Sequence, residues 1–149
     1  MACPFFMPTQ KYEDGSWIHP SRLPLGGGWK GHCTAPGHEG EIPAEEQLRD
    51  ACNLGYAAGC PRCPQERRRD SVRFAVAQQG DLRLLLRFVC ERNHLPGEHG
   101  ILEFDAGLRR WASSHPDMRI QRMAECFIES YLLRKNGSTT MVTKLGSLE

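Results

Sequence analysis

Four cysteines in one stretch rich in Gly and Pro constrain this chain more than any other feature. Cys33, Cys52, Cys60 and Cys63 fall within 31 residues, and 18, 7 and 2 residues separate successive members. Soft metals are bound by thiolates that converge, and a tight Cys-x-x-Cys turn in a flexible segment permits that convergence. The spacing therefore predicts a metal site with these four thiolates as its ligands.

The same spacing leaves the identity of the metal open. Structural zinc sites usually pair two tight knuckles, and only the Cys60-Pro-Arg-Cys63 segment has that form. Iron-sulfur clusters of the 4Fe-4S type also use four thiolates, commonly a local group plus a remote one, and this pattern slightly favours them. Zinc, and a chain with no metal, stay as alternatives. Cys3 is predicted to be a free thiol because it is close to the amino terminus.

Two histidines widen the set of candidate ligands. His32 is adjacent to Cys33, and His38 follows five residues later, so an imidazole could replace Cys52 or Cys63 in a site with three cysteines. His38 is the better candidate, since neighbouring residues do not easily face one metal together. A cluster held by only three thiolates would leave one iron open to a substrate.

Composition limits the compartment and the partners. The chain has 7 cysteines, an odd number that a disulfide framework explains poorly, and no stretch has the apolar length of a signal peptide or a membrane span. We therefore expect a cytoplasmic protein without a membrane partner. Because 19 Lys and Arg face 18 Asp and Glu, a nucleic-acid partner is not expected either.

The apolar pattern predicts an α+β fold of one domain over residues 1–136. Residues 1–70 read as a coil-rich segment organised by metal, with a short helix at 43–52. Alternating apolar residues predict strands at 72–76, 82–90 and 100–105, which would form a three-stranded antiparallel sheet with Cys90 on its buried side. Apolar residues at helical spacing predict one long helix ending near Asn136, packed on the sheet. Residues 137–149 are expected to be a loose tail, and their final Gly-Ser-Leu-Glu is of the kind that cloning vectors add.

A second group of polar residues lies between the predicted second and third strands. Glu91, His94, Glu98 and His99 fall within nine residues, and imidazoles and carboxylates are the side chains that most often transfer protons in enzymes. They define a candidate catalytic loop, although Pro96-Gly97 is ordinary turn chemistry and a polar loop explains the pattern as well.

Three functions follow from these features. The first is a small cytoplasmic metal-binding protein with a Cys-ligated site, in a redox, electron-transfer or accessory role. The second is a structural-zinc module that binds a protein partner through Trp17, Trp29 and Phe5-Phe6. The third is a small enzyme that uses the Glu91, His94, Glu98 and His99 loop.

Overall fold

The structure, a computed structural model, describes residues 1–13, 17, 19–55 and 60–147, with side chains up to Lys135, that of Ser21 excepted. Its strands are β1 (Phe6–Lys11), β2 (Trp29–Cys33), β3 (Ser71–Gln79), β4 (Arg83–Arg92), β5 (Leu95–Asp105) and β6 (Arg110–Ser113). Its helices are α1 (Glu45–Gln47), which continues as a wider π-helical turn over Leu48–Asn53, and α2 (Met118–Ser147); a single 3₁₀ turn covers Pro20–Arg22.

The carboxyl-terminal half contains a four-stranded antiparallel sheet in the order β3-β4-β5-β6. The prediction of three strands was therefore wrong, because β6 was missed. This strand is short, and Trp111 is its single large apolar residue, so it shows no alternation of its own. It is held by pairing with β5, where Trp111 is opposite Phe104 and the two rings lie 5.1 Å apart.

The turn between β4 and β5 is tighter than the predicted loop. Arg92 pairs with Leu95, so that only Asn93 and His94 connect the strands, with φ of 54° and 63°. Two consecutive residues with positive φ match the twist of a two-residue hairpin, and Asn is one of the residues that adopt this conformation readily. Pro96 lies within β5 and does not form the turn.

The amino-terminal half contains a second sheet, which the sequence pattern did not predict. β1 and β2 pair antiparallel, with a register shift between Pro8 and Gln10. Pro8 and Gly31 hide the alternation of apolar residues. Gly31 is required where it stands, because a Cβ atom there would lie 2.1 Å from the carbonyl oxygen of Met7 on the paired strand. Each of the other strand pairs, β3-β4, β4-β5 and β5-β6, also contains a register shift.

The predicted helix at 43–52 is replaced by α1 and the π-helical turn, which ends at Asn53. The Asn53 side chain is buried and completes the hydrogen bonding of two other segments. Its Oδ1 accepts the backbone N–H of Trp29 at 3.0 Å, and its Nδ2 donates to the carbonyl oxygens of Trp29 at 2.9 Å and Leu48 at 2.8 Å. One amide therefore joins β2 to the π-helical turn.

Helix α2 packs its apolar face on both sheets. Ile120, Met123, Ala124 and Ile128 are buried, as their helical spacing predicts, and they share one core with residues of both halves, including Phe6, Trp29, Leu86 and Phe88. The backbone stays helical past Asn136 to Ser147, whereas residues 148 and 149 of the predicted tail lie outside the described range. Within that range no helix is both long and apolar enough to cross a membrane.

Candidate functional site

Five cysteines line one small pocket in the amino-terminal half. They are Cys3, Cys33, Cys52, Cys60 and Cys63, and the cavity between them measures about 20 Å³. The four residues predicted as ligands are therefore brought to one place. The fifth, Cys3, was predicted to be a free thiol, and the structure places it in the lining of the same pocket.

The four predicted ligands reach the pocket from three different local structures. Cys33 ends β2, and a loop folds back over it, because its N–H donates to Glu41 O and its carbonyl accepts the N–H of Gly40. Cys52 lies in the π-helical turn. Cys60 and Cys63 share a tight turn in which the N–H of Cys63 donates to the carbonyl of Cys60 at 3.1 Å.

Cys3 is positioned by the other half of the molecule. Its N–H donates to the carbonyl of Cys52 at 3.1 Å. The preceding residue, Ala2, forms an isolated antiparallel bridge with Val72 at the start of β3, with N–H to O distances of 2.7 and 2.9 Å. A pattern search along the sequence could not find this arrangement, since the two partners are 70 residues apart.

The remaining pocket wall is apolar except at one point. Phe5, Phe6, Ala35, Pro43 and Ala51 supply the apolar wall, and Arg62 supplies the cation. The Arg62 guanidinium is fixed by Glu41 at 3.0 Å and by the side-chain oxygen of Gln47 at 2.6 Å. An apolar wall strengthens electrostatic interactions inside the pocket, so a nearby fixed cation would favour negative charge on the sulfurs.

One of the sulfurs accepts a backbone hydrogen bond from the residue two positions later. The N–H of Ala35 donates to Cys33 Sγ at 3.3 Å. At Cys3, the backbone of Phe5 acts to lower the pKa of the thiol, against the larger effect of burial. Cys63 differs, because its thiol donates to the carbonyl oxygen of Pro64 at 3.8 Å. Hydrogen bonds to ligating sulfurs are a regular feature of thiolate metal sites, where they tune the redox potential.

Burial makes two of these thiols weak acids. It raises the pKa of Cys3 to about 12, although the hydrogen bond from Phe5 opposes the rise, and neighbouring thiolates contribute further. Burial and the charges of Cys3, Cys60 and Cys33 raise the pKa of Cys52 to about 12 as well. The thiols of Cys3 and Cys52 are therefore protonated at neutral pH unless a positive charge joins them in the pocket.

The pocket sulfurs do not form a ready-made metal site. Among the described residues, no group of three or more His, Cys, Asp or Glu side chains is placed to hold a metal ion as the chain stands. A single tetrahedral ion requires all its sulfurs at about 2.3 Å from one centre. A cluster with several irons takes one thiolate at each of several corners, so its ligands stand farther apart.

The two candidate histidines do not line the pocket. His38 Nδ1 lies 2.7 Å from Glu41 Oε2, so this imidazole instead supports the carboxylate that fixes Arg62. His32 lies on β2 beside Cys33, opposite Met7. Neither residue is among those that form the pocket wall.

The second predicted group is brought together only in part, because Glu91 and Glu98 line one cavity of about 230 Å³ that neither His94 nor His99 lines. Glu98 is bound by Arg69 at 2.7 Å and by His115 Nε2 at 2.6 Å, and His115 is buried. Burial alone raises the pKa of Glu98, but these hydrogen bonds outweigh burial and lower it, so that the carboxylate stays ionised. His94 occupies the exposed β4-β5 turn, and His99 Nδ1 lies 3.1 Å from the carbonyl of Gly97 in its own strand.

Two of the aromatic residues predicted to anchor a partner are core residues. Trp29 and Phe6 are each 1% exposed, and the indole N–H of Trp29 donates to the carbonyl of Leu25 at 3.3 Å. Phe5 is half-buried and contacts the Arg119 guanidinium, which lies 5.2 Å from the centre of its ring. Phe6 and Trp29 therefore stabilise the fold around the pocket.

Comparison with known proteins does not assign the chain to a group. No protein-family model, no characterised protein and no solved structure matches it. The interpretation of the pocket therefore depends on its own chemistry.

Proposed function

We propose that this protein binds an iron-sulfur cluster through the thiolates of its five-cysteine pocket and acts in electron transfer, redox sensing or as an accessory to a larger iron-sulfur system. The observation that carries the proposal is the meeting of five cysteines from five separate positions in one apolar pocket. A set of free thiols this dense, with no disulfide formed, is typical of soft-metal binding in a reducing cytoplasm.

Two properties of the pocket support a cluster. More than four thiols are present, and the wall beside them is apolar except at Arg62. When bound, a cluster of this kind accepts and releases single electrons. The protein contributes the thiolates, the backbone N–H of Ala35 that donates to Cys33 Sγ, and the fixed cation of Arg62.

Zinc in a structural role is the second candidate, and one observation favours it. The cavity, at about 20 Å³, has room for little more than one water-sized sphere, which suits a single ion. A single ion would require four of the sulfurs to move together, and the Cys60-Pro-Arg-Cys63 turn is a knuckle of the kind that zinc uses. The protein would then be an interaction module whose metal only stabilises the fold.

The test is to purify the full chain without oxygen, measure iron, sulfide and zinc by elemental analysis, and record the visible absorption of the same sample. We expect iron and sulfide in equal amounts with broad visible absorption that bleaches on reduction. Zinc without colour would replace the first candidate by the second. A protein that takes up neither metal, even after reconstitution with iron and sulfide, would overturn both.

A matched set of variants ties the metal to the pocket. Cys33→Ala and Cys52→Ala remove pocket thiols, whereas Cys126→Ala removes a buried thiol of α2 that lies outside the pocket. We expect the two pocket variants to lose the metal and Cys126→Ala to retain it. Equal retention in all three would show that the bound metal is not held by this pocket.

A further inference from the structure

We infer that Cys3 is a ligand of the group bound in the pocket and that metal binding thereby fastens the amino-terminal segment, residues 1–5, to the edge strand β3. This inference rests on the proposed function. The inference goes beyond the proposed function because it adds Cys3 to the four clustered cysteines as a ligand. It also links metal binding to the backbone bridge that covers part of the edge strand β3.

The surroundings of Cys3 match those of Cys33 more closely than those of a free thiol. Both side chains line the pocket together with Cys52, Cys60 and Cys63. Pro4 follows Cys3 directly, and its fixed φ restricts the conformations open to this short segment. A thiol that faces four others in one small cavity is placed to ligate the same group.

Cys3 also stands at a junction of two backbone connections. On one side its N–H is bound to Cys52 O, inside the cysteine-rich half. On the other side, Ala2 exchanges two backbone hydrogen bonds with Val72, and Val72 is fully buried at the start of β3. The segment is therefore a short connector between the pocket and the four-stranded sheet.

This connector is held to the first half at Phe5, whose carbonyl oxygen accepts Thr34 N–H at 2.8 Å and Thr34 Oγ1 at 2.7 Å, and to β3 by one side-chain contact, Ser71 Oγ to Met1 Sδ at 3.0 Å. Its backbone contacts β3 through a single isolated bridge, not through a continuous ladder. A metal bond to Cys3 would place a strong attachment next to that bridge, and its loss would let the segment separate and expose the N–H and C=O of Val72. Unpaired groups on an edge strand are sites where another strand can pair.

The experiment compares Cys3→Ala with Cys33→Ala and Cys126→Ala in the full chain, each reconstituted with iron and sulfide. Metal content is measured first, and hydrogen exchange is then followed at the amide of Val72. If Cys3 is a ligand, Cys3→Ala retains no more than about one tenth of the iron that Cys126→Ala retains. Its Val72 amide also exchanges at least about tenfold faster than the same amide in Cys126→Ala. If Cys3→Ala retains as much iron as the wild type while Cys33→Ala loses it, the inference fails and the proposed function stands.

A second measurement needs no variant. Alkylation of each cysteine is followed by mass spectrometry in metal-loaded and metal-free wild-type protein. A ligand role predicts that metal protects Cys3 as strongly as it protects Cys33, and an equal rate at Cys3 in both forms would overturn the inference. If the wild type takes up no metal at all, the proposed function itself fails, and the inference fails with it.

Discussion

The two halves of this molecule are held together by different kinds of contact. In residues 71–135, long strands and a long helix bury apolar residues that recur at regular spacing, such as Leu84, Leu86 and Phe88 on one face of β4. In residues 1–70, the strands are short, and the chain is joined by separate long-range contacts at Asn53, at Cys3 and in the thiol pocket. In residues 71–135, many similar apolar contacts share the work of stabilising the fold. Residues 1–70 depend instead on a few individual groups.

Removing the metal should give the largest difference between the halves. A bound structural metal contributes on the order of 10 kcal/mol to the folding of a small metal-organised segment. After chelation under reducing conditions, we expect amides of β2 to lose their protection from hydrogen exchange while those of β4 keep most of theirs. Exchange measured by mass spectrometry on both forms checks this, and equal loss in both strands would show that the halves unfold as one unit.

A cavity in the four-stranded sheet should destabilise the protein to a similar extent with and without metal. Leu86 is fully buried on β4, and Leu86→Ala should lower the free energy of unfolding by about 2–5 kcal/mol. We expect this loss to be similar with and without metal, because Leu86 belongs to the half that does not need the pocket. Chemical denaturation of both forms measures it. A loss seen only in the metal-loaded form would contradict the separation of the two halves.

Asn53 tests whether single polar groups organise the first half. Asn53→Ala removes three buried hydrogen bonds and leaves the Trp29 N–H without its acceptor, which should cost about 3 kcal/mol. We expect Asn53→Asp to be at least as destabilising, because a carboxylate would face the carbonyl oxygens of Trp29 and Leu48. The exposed Gln78→Ala is the control for denaturation. A change below about 0.5 kcal/mol in Asn53→Ala would remove Asn53 from this role.

Asp117 should give the smallest and most pH-dependent effect. Burial alone raises its pKa, but hydrogen bonds from Arg119 and the charge of Arg69 outweigh burial and lower the pKa from 3.8 to about 2. A depressed pKa stabilises the fold above pH 3.8 by about 2 kcal/mol, and this contribution disappears as the pH falls from 3.8 to about 2. Asp117→Asn should therefore be less stable at pH 7, and the difference should vanish near pH 2.

Acid titration of the unfolding free energy measures this dependence, with the exposed turn variant Asp81→Asn as the control. A constant difference between wild type and Asp117→Asn from pH 7 to pH 2 would mean that packing, and not the charge of Asp117, produces the effect.

The contrast between the halves also explains what could be predicted from the sequence. Alternation and helical spacing predicted β3, β4, part of β5 and the buried face of α2, because apolar residues recur in those elements with the period of the secondary structure. The same signals missed β1 and β2, where Pro8 and Gly31 interrupt the pattern and pairing depends on close backbone approach. They missed β6 because Trp111 is its single large apolar residue, and this ring packs on Phe104 of the neighbouring strand β5.

The thiol pocket shows the same limit. Three cysteines at 52, 60 and 63 with a fourth at 33 are close enough in sequence for their spacing to suggest a common site, and the structure brings all four to one pocket. Cys3 gives no such signal. Its place depends on the bridge between Ala2 and Val72, which no local pattern contains.

The register shifts present in all four strand pairs have a consequence for how copies of this protein meet. A bulge bends its strand and sharpens its twist, so the strand fits the partner that carries the matching irregularity. A flat strand from a second molecule would meet a bent edge and could form only a short ladder. We therefore expect concentrated protein to resist edge-to-edge polymerisation into fibrils, even though its two sheets have edge strands.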